Sequence, residues 1–355
     1  MQGCGVKSAR RTAELTAGRC HRLPNMRATI LCLLLTIAAN AQQLPHEDAV
    51  RVAEFYRLTA QIQEKIWPGW GQAPAPLLLV TKDTEFLTHH PAPPKEFAKI
   101  GDDLYARPRQ FDTHLLATFP AFGLPSVIVI GEPQSTDAKT STPWLIVVMH
   151  EHFHQLQNSQ PGYFDAVNGL GLSGGDTSGM WMLNYPFPYE KPEVRRDLGH
   201  LRDLLLEALN TAKDRKFHKK AAAYVRERKR VFGQLSRDDH KYLSFQLWQE
   251  GIARYTQIKA AEAAANYQPA DEYKLLPDYE PFSACAARAR TETLDELKRA
   301  DLAHMKRVFF YSFGAAEGLL LDRLNPGWKS EYFKHPLSTD ALFEVREART
   351  ESHAQ

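Results

Sequence analysis

Residues 145–157 read Leu-Ile-Val-Val-Met-His-Glu-His-Phe-His-Gln-Leu-Gln, and the fold turns on whether they form a helix or a strand. In a helix, His150 and His154 stand about 40° apart around the axis and ~6 Å apart along it, so both imidazoles reach one point in space. Glu151 then points to the edge of that point, and His152, about 200° round from His150, faces away. In a strand, the apolar run Leu145–Met149 would continue so that His150, His152 and His154 alternate onto one face. Periodicity alone does not separate the two for a short apolar run, and the length of the segment from Thr140 to Gln157 favours the helix.

The helical reading carries chemistry. Two histidines at this spacing grip one tetrahedral ion, and the Glu between them sits where it can take a proton from a water. The strand reading would instead resemble the His-x-His of metal-dependent amidohydrolases. A third ligand is needed in either case, and a candidate stands far downstream in Leu247-Trp-Gln-Glu250-Gly-Ile-Ala-Arg-Tyr255. Leu243 and Leu247 precede Glu250 by seven and three residues and share roughly its side of an amphipathic helix. A carboxylate on an inward face is costly unless it is paired or bound to a metal. Arg254, four residues on, offers an ordinary helical ion pair as the alternative.

Taken together, His150-Glu-His-Phe-His154 and Trp248-Gln-Glu250-Gly-Ile-Ala-Arg-Tyr255 resemble the gluzincin metallopeptidases, the thermolysin-like and zinc aminopeptidase-like enzymes. A third segment, Tyr311-Ser-Phe-Gly-Ala315, is similar to the Tyr-x-Lys-Gly-Ala of the aminopeptidases, whose Tyr stabilises an oxyanion. The resemblance covers roughly residues 145 to 325 at the level of motifs. It implies Zn2+ on His150, His154 and Glu250, Glu151 as general base and Tyr311 as oxyanion donor. It also implies that Ser126–Ile130, just before the His helix, is an edge strand along which peptide can add; a core strand is the other reading of the same run. The chain departs from the pattern in several places. Residues 158 to 235 lengthen the gap between His154 and Glu250, Trp248 stands one residue closer to the Glu, Phe313 replaces the Lys, and no Gly-x-Met-x-Asn segment occurs. Aminopeptidase specificity therefore does not carry over. His304, seven residues before Tyr311, is a lesser candidate for the donor, and Tyr311 itself has a second reading as a core aromatic.

Outward from these motifs, residues 46 to 66 carry helical spacing and stop at Trp67-Pro-Gly69. Pro76–Val80, Leu115–Phe119 and Ser126–Ile130 read as strands between Pro- and Gly-containing turns, predicting a small mixed or antiparallel sheet. Residues 158 to 189, rich in Gly, Pro, Asn and Tyr, predict a long irregular connection rimming a cleft. Helical spacing then runs through Leu198–Ala212, Ala221–Phe232, Ser236–Ala265 and Leu294–Leu324, with Ser236 and Asp239 as a capping pair. The basic stretch Lys213–Arg230 reads as a solvated helix face. The expected fold is α+β and zincin-like: an α+β lobe with the His helix over 42–157, the connection over 158–189, a mainly helical lobe over 190–345 and a tail over 346–355.

The start of the chain has a different character. Met26-Arg27, an apolar stretch from Ala28 to Ala39, and Ala39-Asn-Ala41 have the order of a signal peptide over 26–41, with 1–25 as an extension from an upstream start. About a dozen apolar residues are too few to span a bilayer. Secretion or periplasmic export follows as an expectation, with no stable membrane span after cleavage. Cys4, Cys20 and Cys32 lie in the segment that cleavage removes, which leaves Cys285 without a disulfide partner and reading as packing. Of 44 basic and 42 acidic residues, six and one fall in the first 41, so the remainder carries 38 against 41. Near-neutral charge gives no electrostatic case for nucleic acid. At 43% hydrophobic and 24% charged, the 355 residues suffice for a real core. The sequence thus predicts an exported zinc metallopeptidase acting on peptide or protein. The alternatives are a zinc hydrolase of a non-peptide amide or ester and a non-catalytic zinc-binding protein.

Overall fold

The computed structural model describes residues 43–344. The expected signal peptide, the extension before it and the tail lie outside the described residues.

Helix α1 (His46–Ile66) buries Val50, Phe55, Leu58, Ile62 and Ile66 at helical spacing. It ends where the sequence places the stop: Trp67 is extended (φ −134°, ψ 118°), as a residue before proline must be. Six strands follow, namely β1 (Leu77–Val80), β2 (Thr84–Thr88), β3 (Ala98–Gly101), β4 (Leu104–Pro108), β5 (Leu116–Phe119) and β6 (Val127–Gly131). They form one sheet in the order β3-β4-β2-β1-β6-β5, antiparallel throughout except where β1 runs parallel to β6. The sheet is therefore mixed. Strand β6 lies inside it, between β1 and β5, so Ser126–Ile130 takes the core-strand reading and not the edge-strand one that the family resemblance implied; the edge beside it is β5.

Side chains alternate across this sheet as the period of two requires. Leu77, Leu79, Ile128 and Ile130 face the main core, whereas Leu78, Val80, Val127 and Val129 face a smaller cluster with Leu87 and Phe97. A buried ion pair, Arg107 Nε to Glu85 Oε2 at 2.7 Å, stands at this second face, with the guanidinium over the rings of Phe97 and Phe122.

Residues 145–157 are helical. They belong to α2 (Ser141–Asn158), which lies on the main-core face of β5 and β6 and is buried almost throughout. The helices after it are α3 (Tyr163–Gly169), α4 (Trp181–Asn184), α5 (Pro192–Leu209), α6 (Asp214–Gln234), α7 (Arg237–Gln246), α8 (Ile252–Ala263), α9 (Asp271–Lys274), α10 (Phe282–Arg299), α11 (Leu302–Met305), α12 (Phe309–Leu324) and α13 (Lys329–Tyr332). The stretch 158–189 is irregular except for α3 and α4. Ser236 caps α7 by accepting from Asp239 N, as expected. Cys285 is buried on α10, with its thiol pushed up to about 11 by desolvation.

Two long helices expected from spacing are interrupted. The segment Ser236–Ala265 is α7 and α8 joined by a π-helical turn, Leu247–Gly251. The segment Leu294–Leu324 is α10 and α12, separated at Ala300, which is extended, and at Lys306, whose φ is +49°. Asp301 caps the short helix between them by accepting from His304 N. His304 is exposed on α11, not on the face of α12 that carries Tyr311.

The π turn meets α12 at backbone contact. A Cβ added to Gly251 would lie 2.6 Å from Gly314 Cα, and one added to Gly314 would lie 2.6 Å from Gly251 Cα. Only glycine fits at either position. Gly314→Ala is expected to cost ~1–3 kcal/mol through overpacking, read as a lower denaturant midpoint; an unchanged midpoint would show that the two backbones do not touch.

Candidate metal centre

The contact between Gly251 and Gly314 places Glu250 and Tyr311 on facing helices, and α2 supplies the remaining groups. His150 Nε2 and His154 Nε2 lie 3.2 Å apart. Glu250 Oε2 lies 3.4 Å from His154 Nε2 and 3.8 Å from His150 Nε2. Both imidazoles are buried, and the carboxylate is 18% exposed. Three donors at ~2.0–2.1 Å from one tetrahedral ion stand about 3.4 Å from one another. The donor set, two imidazoles and a carboxylate, and its spacing fit a zinc ion. Arg254 does not compete for Glu250: it pairs with Glu296 at 3.2 Å.

Each donor is held from behind. His154 Nδ1 is 2.6 Å from Gln157 Oε1, a contact that makes Nδ1 the protonated nitrogen and leaves Nε2 free to ligate. The other end of the same amide, Gln157 Nε2, donates to Trp248 O at 3.0 Å and lies 3.2 Å from Gln249 O, both in the π turn. Tyr332 Oη also donates to Trp248 O, at 2.6 Å. A π turn leaves carbonyls out of the regular helical ladder, and these donors satisfy one of them. Gln249 Nε2 lies 3.0 Å from the same His154 Nδ1, a contact that is not a hydrogen bond while Nδ1 carries its proton, and the Gln249 oxygen accepts from Tyr163 at 2.9 Å. His150 is less supported. Its Nδ1 is buried and has no partner among the described residues, while its ring stacks on Tyr311 (centroids 6.2 Å apart, planes 8° apart).

Glu151 lies on the side of α2 that faces β5. Its Oε2 accepts from Thr118 Oγ1 at 2.8 Å, and the same hydroxyl is 3.0 Å from Glu151 O. One donor atom from each of His150, Glu151 and His154 falls within 4.8 Å of the others. Tyr311 Oη accepts from Arg307 Nη1 at 2.7 Å. Burial and the nearby Glu250 carboxylate push the Tyr311 phenol well above its usual range, against the pull of Arg307. Tyr311 thus keeps its proton at neutral pH. His152 turns to the opposite side of α2, stacked on Trp70 with its Nδ1 2.8 Å from Gln155 Oε1. Burial lowers its pKa to about 4, which leaves it neutral.

The structure therefore brings His150, His154, Glu250, Glu151 and Tyr311 into one neighbourhood. Thr118, Gln157, Gln249 and Arg307 were not singled out from the sequence. Gln157 and Arg307 carried a signal in their spacing, three residues after His154 and four before Tyr311. Thr118 carried none, since only the sheet brings β5 to α2.

A cavity of about 580 Å3 opens one helical turn beyond His154, lined by Pro74, Leu124, Pro125, Asn158, Tyr163 and Phe164 among others. None of the three donors lines it. No helix among the described residues is long and apolar enough to cross a membrane. Compared with models of known families, with curated proteins and with solved structures, the chain matches none.

The electrostatics predict how metal uptake depends on pH. Burial alone would lower His154, but the Glu250 carboxylate outweighs it and holds the imidazole at about 9. Burial would likewise raise Glu250, yet His154 and His150 hold it well below the usual range. In metal-free protein the raised His154 contributes stability that is complete below ~6.5, its unfolded value, and is lost as pH rises through about 9. The depressed Glu250 contributes stability present above ~4.3 and lost in acid. Zinc must displace the His154 proton. Between pH 7 and 9, binding is expected to release about one proton and to tighten about tenfold per pH unit, as read by calorimetry in buffers of different ionisation enthalpy. Uptake independent of pH over that range would mean that the imidazole is neutral beforehand.

Proposed function

We propose that this protein is a zinc-dependent hydrolase of peptide bonds, with His150, His154 and Glu250 as the metal ligands. The observation that carries the reading is the placement of three donor atoms 3.2 to 3.8 Å apart with a second carboxylate, Glu151, beside them. A purely structural zinc site closes with a fourth protein ligand and needs no base. Zinc, when bound, supplies a Lewis acid that brings the pKa of a water towards ~7.

The chain's own groups then divide the work. Glu151 takes the proton from the attacking water and delivers it to the leaving nitrogen. Thr118 fixes the carboxylate that does so, by occupying Oε2 and leaving Oε1 to the reaction. Tyr311, kept neutral by burial and oriented by Arg307, donates to the oxygen on which charge develops. The open side of β5, next to Glu151, is where an extended substrate backbone would add as a further strand. The cavity beyond His154 offers room for a side chain at one end of that path. The zincin-like character belongs to this proposal, as does an exported location, which rests on residues 26–41.

Glu151→Gln separates catalysis from binding. Wild type and variant are each expected to hold about one zinc, while peptide hydrolysis drops by ~10³-fold or more in the variant. Equal activity in the two would remove Glu151 as base, and a wild type that binds zinc but cleaves no peptide would favour the non-catalytic reading. Cleavage of esters or small amides in place of peptides would favour the other hydrolase class.

Tyr311→Phe keeps the ring stacked on His150 and removes only the hydroxyl. Its kcat is expected to fall ~10²–10³-fold with zinc content unchanged, the size of losing one oxyanion donor. A kcat within a factor of two of wild type would assign the donor elsewhere.

A further inference from the structure

The inward-facing arginines of this protein are nearly all neutralised. Arg51 pairs with Asp48, Arg107 with Glu85, Arg228 with Glu317 and Arg254 with Glu296. Arg307 is different. Among the described residues no carboxylate approaches its guanidinium within 4.0 Å, and its one side-chain hydrogen bond is to Tyr311 Oη. It is half-buried, with the guanidinium carbon 5.5 Å from the centre of the Tyr311 ring. That ring stacks on His150, so the free cation stands two side chains from the three donors.

Its setting is built. Lys306, immediately before it, is held at φ +49° and ψ −128°, a backbone conformation that costs ~1–3 kcal/mol and persists only where surrounding structure enforces it. That kink turns the chain between α11 and α12 and sets the direction in which Arg307 leaves it. The Arg307 charge also acts on the phenols of Tyr189 and Tyr242, whose hydroxyls lie 3.4 Å apart, and lowers both against the desolvation that raises them. A guanidinium has five N–H donors in a planar fork that matches a carboxylate. One of the five is used here. The Glu250 carboxylate acts on this charge from beyond ion-pair distance, so among the described residues the rest of the fork is open to a carboxylate.

We propose that Arg307 binds a carboxylate of the substrate, which makes the site selective for peptides with an acidic group next to the bond that is cut. This rests on the reading of the site as a zinc hydrolase. The carboxylate is either the free C-terminus or an acidic side chain, and one recognition chemistry serves both. Arg307 is a specificity residue towards the substrate and a positioning residue towards Tyr311.

Three zinc-directed dipeptide hydroxamates of one scaffold test this on the zinc-loaded full chain. The first ends in Gln with an amidated C-terminus, the second in Gln with a free C-terminus, and the third in Glu with an amide. Binding of the first reports the metal centre alone. Either acidic probe is expected to bind ~10–100-fold more tightly than the neutral one, and which one does so identifies the source of the carboxylate. Arg307→Gln should abolish that preference, read as the ratio of acidic-probe to neutral-probe affinity so that any change acting through Tyr311 cancels, and Arg307→Lys should retain part of it. Equal binding of all three to wild type, or a preference that survives in Arg307→Gln, overturns the assignment and leaves the metal centre standing. Failure of the neutral probe to bind zinc-loaded protein removes the hydrolase reading, and this one with it. Zinc content and melting temperature of each variant distinguish these results from misfolding.

Discussion

One side-chain amide ties the two halves of the candidate centre together. The oxygen of Gln157 sets the tautomer of His154, and its nitrogen binds the carbonyl oxygens of the residues just before Glu250. Both functions need a group that accepts at one end and donates at the other, at a fixed separation. A carboxylate would reach His154 but would face the π-turn carbonyls with a second acceptor, and an aliphatic side chain would serve neither. The irregular turn and the histidine nitrogen are therefore satisfied by the same residue. Because the turn displaces the helix by a fraction of a residue's rotation, it also decides where the carboxylate points. Glu250 in an uninterrupted helix would leave at a different angle from the axis.

The electrostatic consequence is a site that holds a proton and, on the function proposed above, exchanges it for a cation. Two imidazole nitrogens 3.2 Å apart with a carboxylate oxygen 3.4 and 3.8 Å away cannot all stay empty-handed in a buried place. Either a proton sits among them, held by the carboxylate on His154, or a cation does. The first state explains the direction of both shifts, the imidazole up and the carboxylate down. The second requires only that the proton leave, since the tautomer behind His154 is already fixed. The geometry is thus preorganised, with no side-chain rotation needed to reach ligating distances.

The site was far more legible in the sequence than the sheet around it. His150, Glu151 and His154 announce themselves because helical geometry converts a spacing of four into proximity. Glu250 and Tyr311 were found through the residues flanking them, and those flanks include Gly251 and Gly314, the pair whose backbones touch. Strands β2, β3 and β4 went unseen for identifiable reasons. Strand β2 buries Glu85, which is tolerated because Arg107 on β4 neutralises one oxygen and the backbone N–H groups of Gln110 and Phe111 donate to the other, so a run reading as polar is in fact interior. Strands β3 and β4 are short and partly exposed, with no apolar alternation to find. Apolar content marked β1, β5 and β6 as strands, but not their order; the interior position of β6 follows from parallel pairing with β1, a contact 51 residues distant in sequence. The break at Ala300–Val308 was hidden because helical spacing on both sides carries through it.

The segment that opened the question answers it on both faces. One side of α2 carries His150, Glu151 and His154 towards Glu250 and β5. The other carries His152 and Gln155, and these anchor the helix: Gln155 Nε2 donates to Pro76 O and Ser126 O, the backbone at the starts of β1 and β6. His152, kept neutral by burial, contacts Gln155, Gln63 and Trp70, which ties α2 to α1 and to the turn after it. Three histidines in five residues therefore do two unlike jobs, and the 200° between His150 and His152 on the helix is what divides them. A strand would have put all three on one face and left the sheet end without its bond. The same periodicity that makes a metal site possible on one side makes a rigid mount possible on the other.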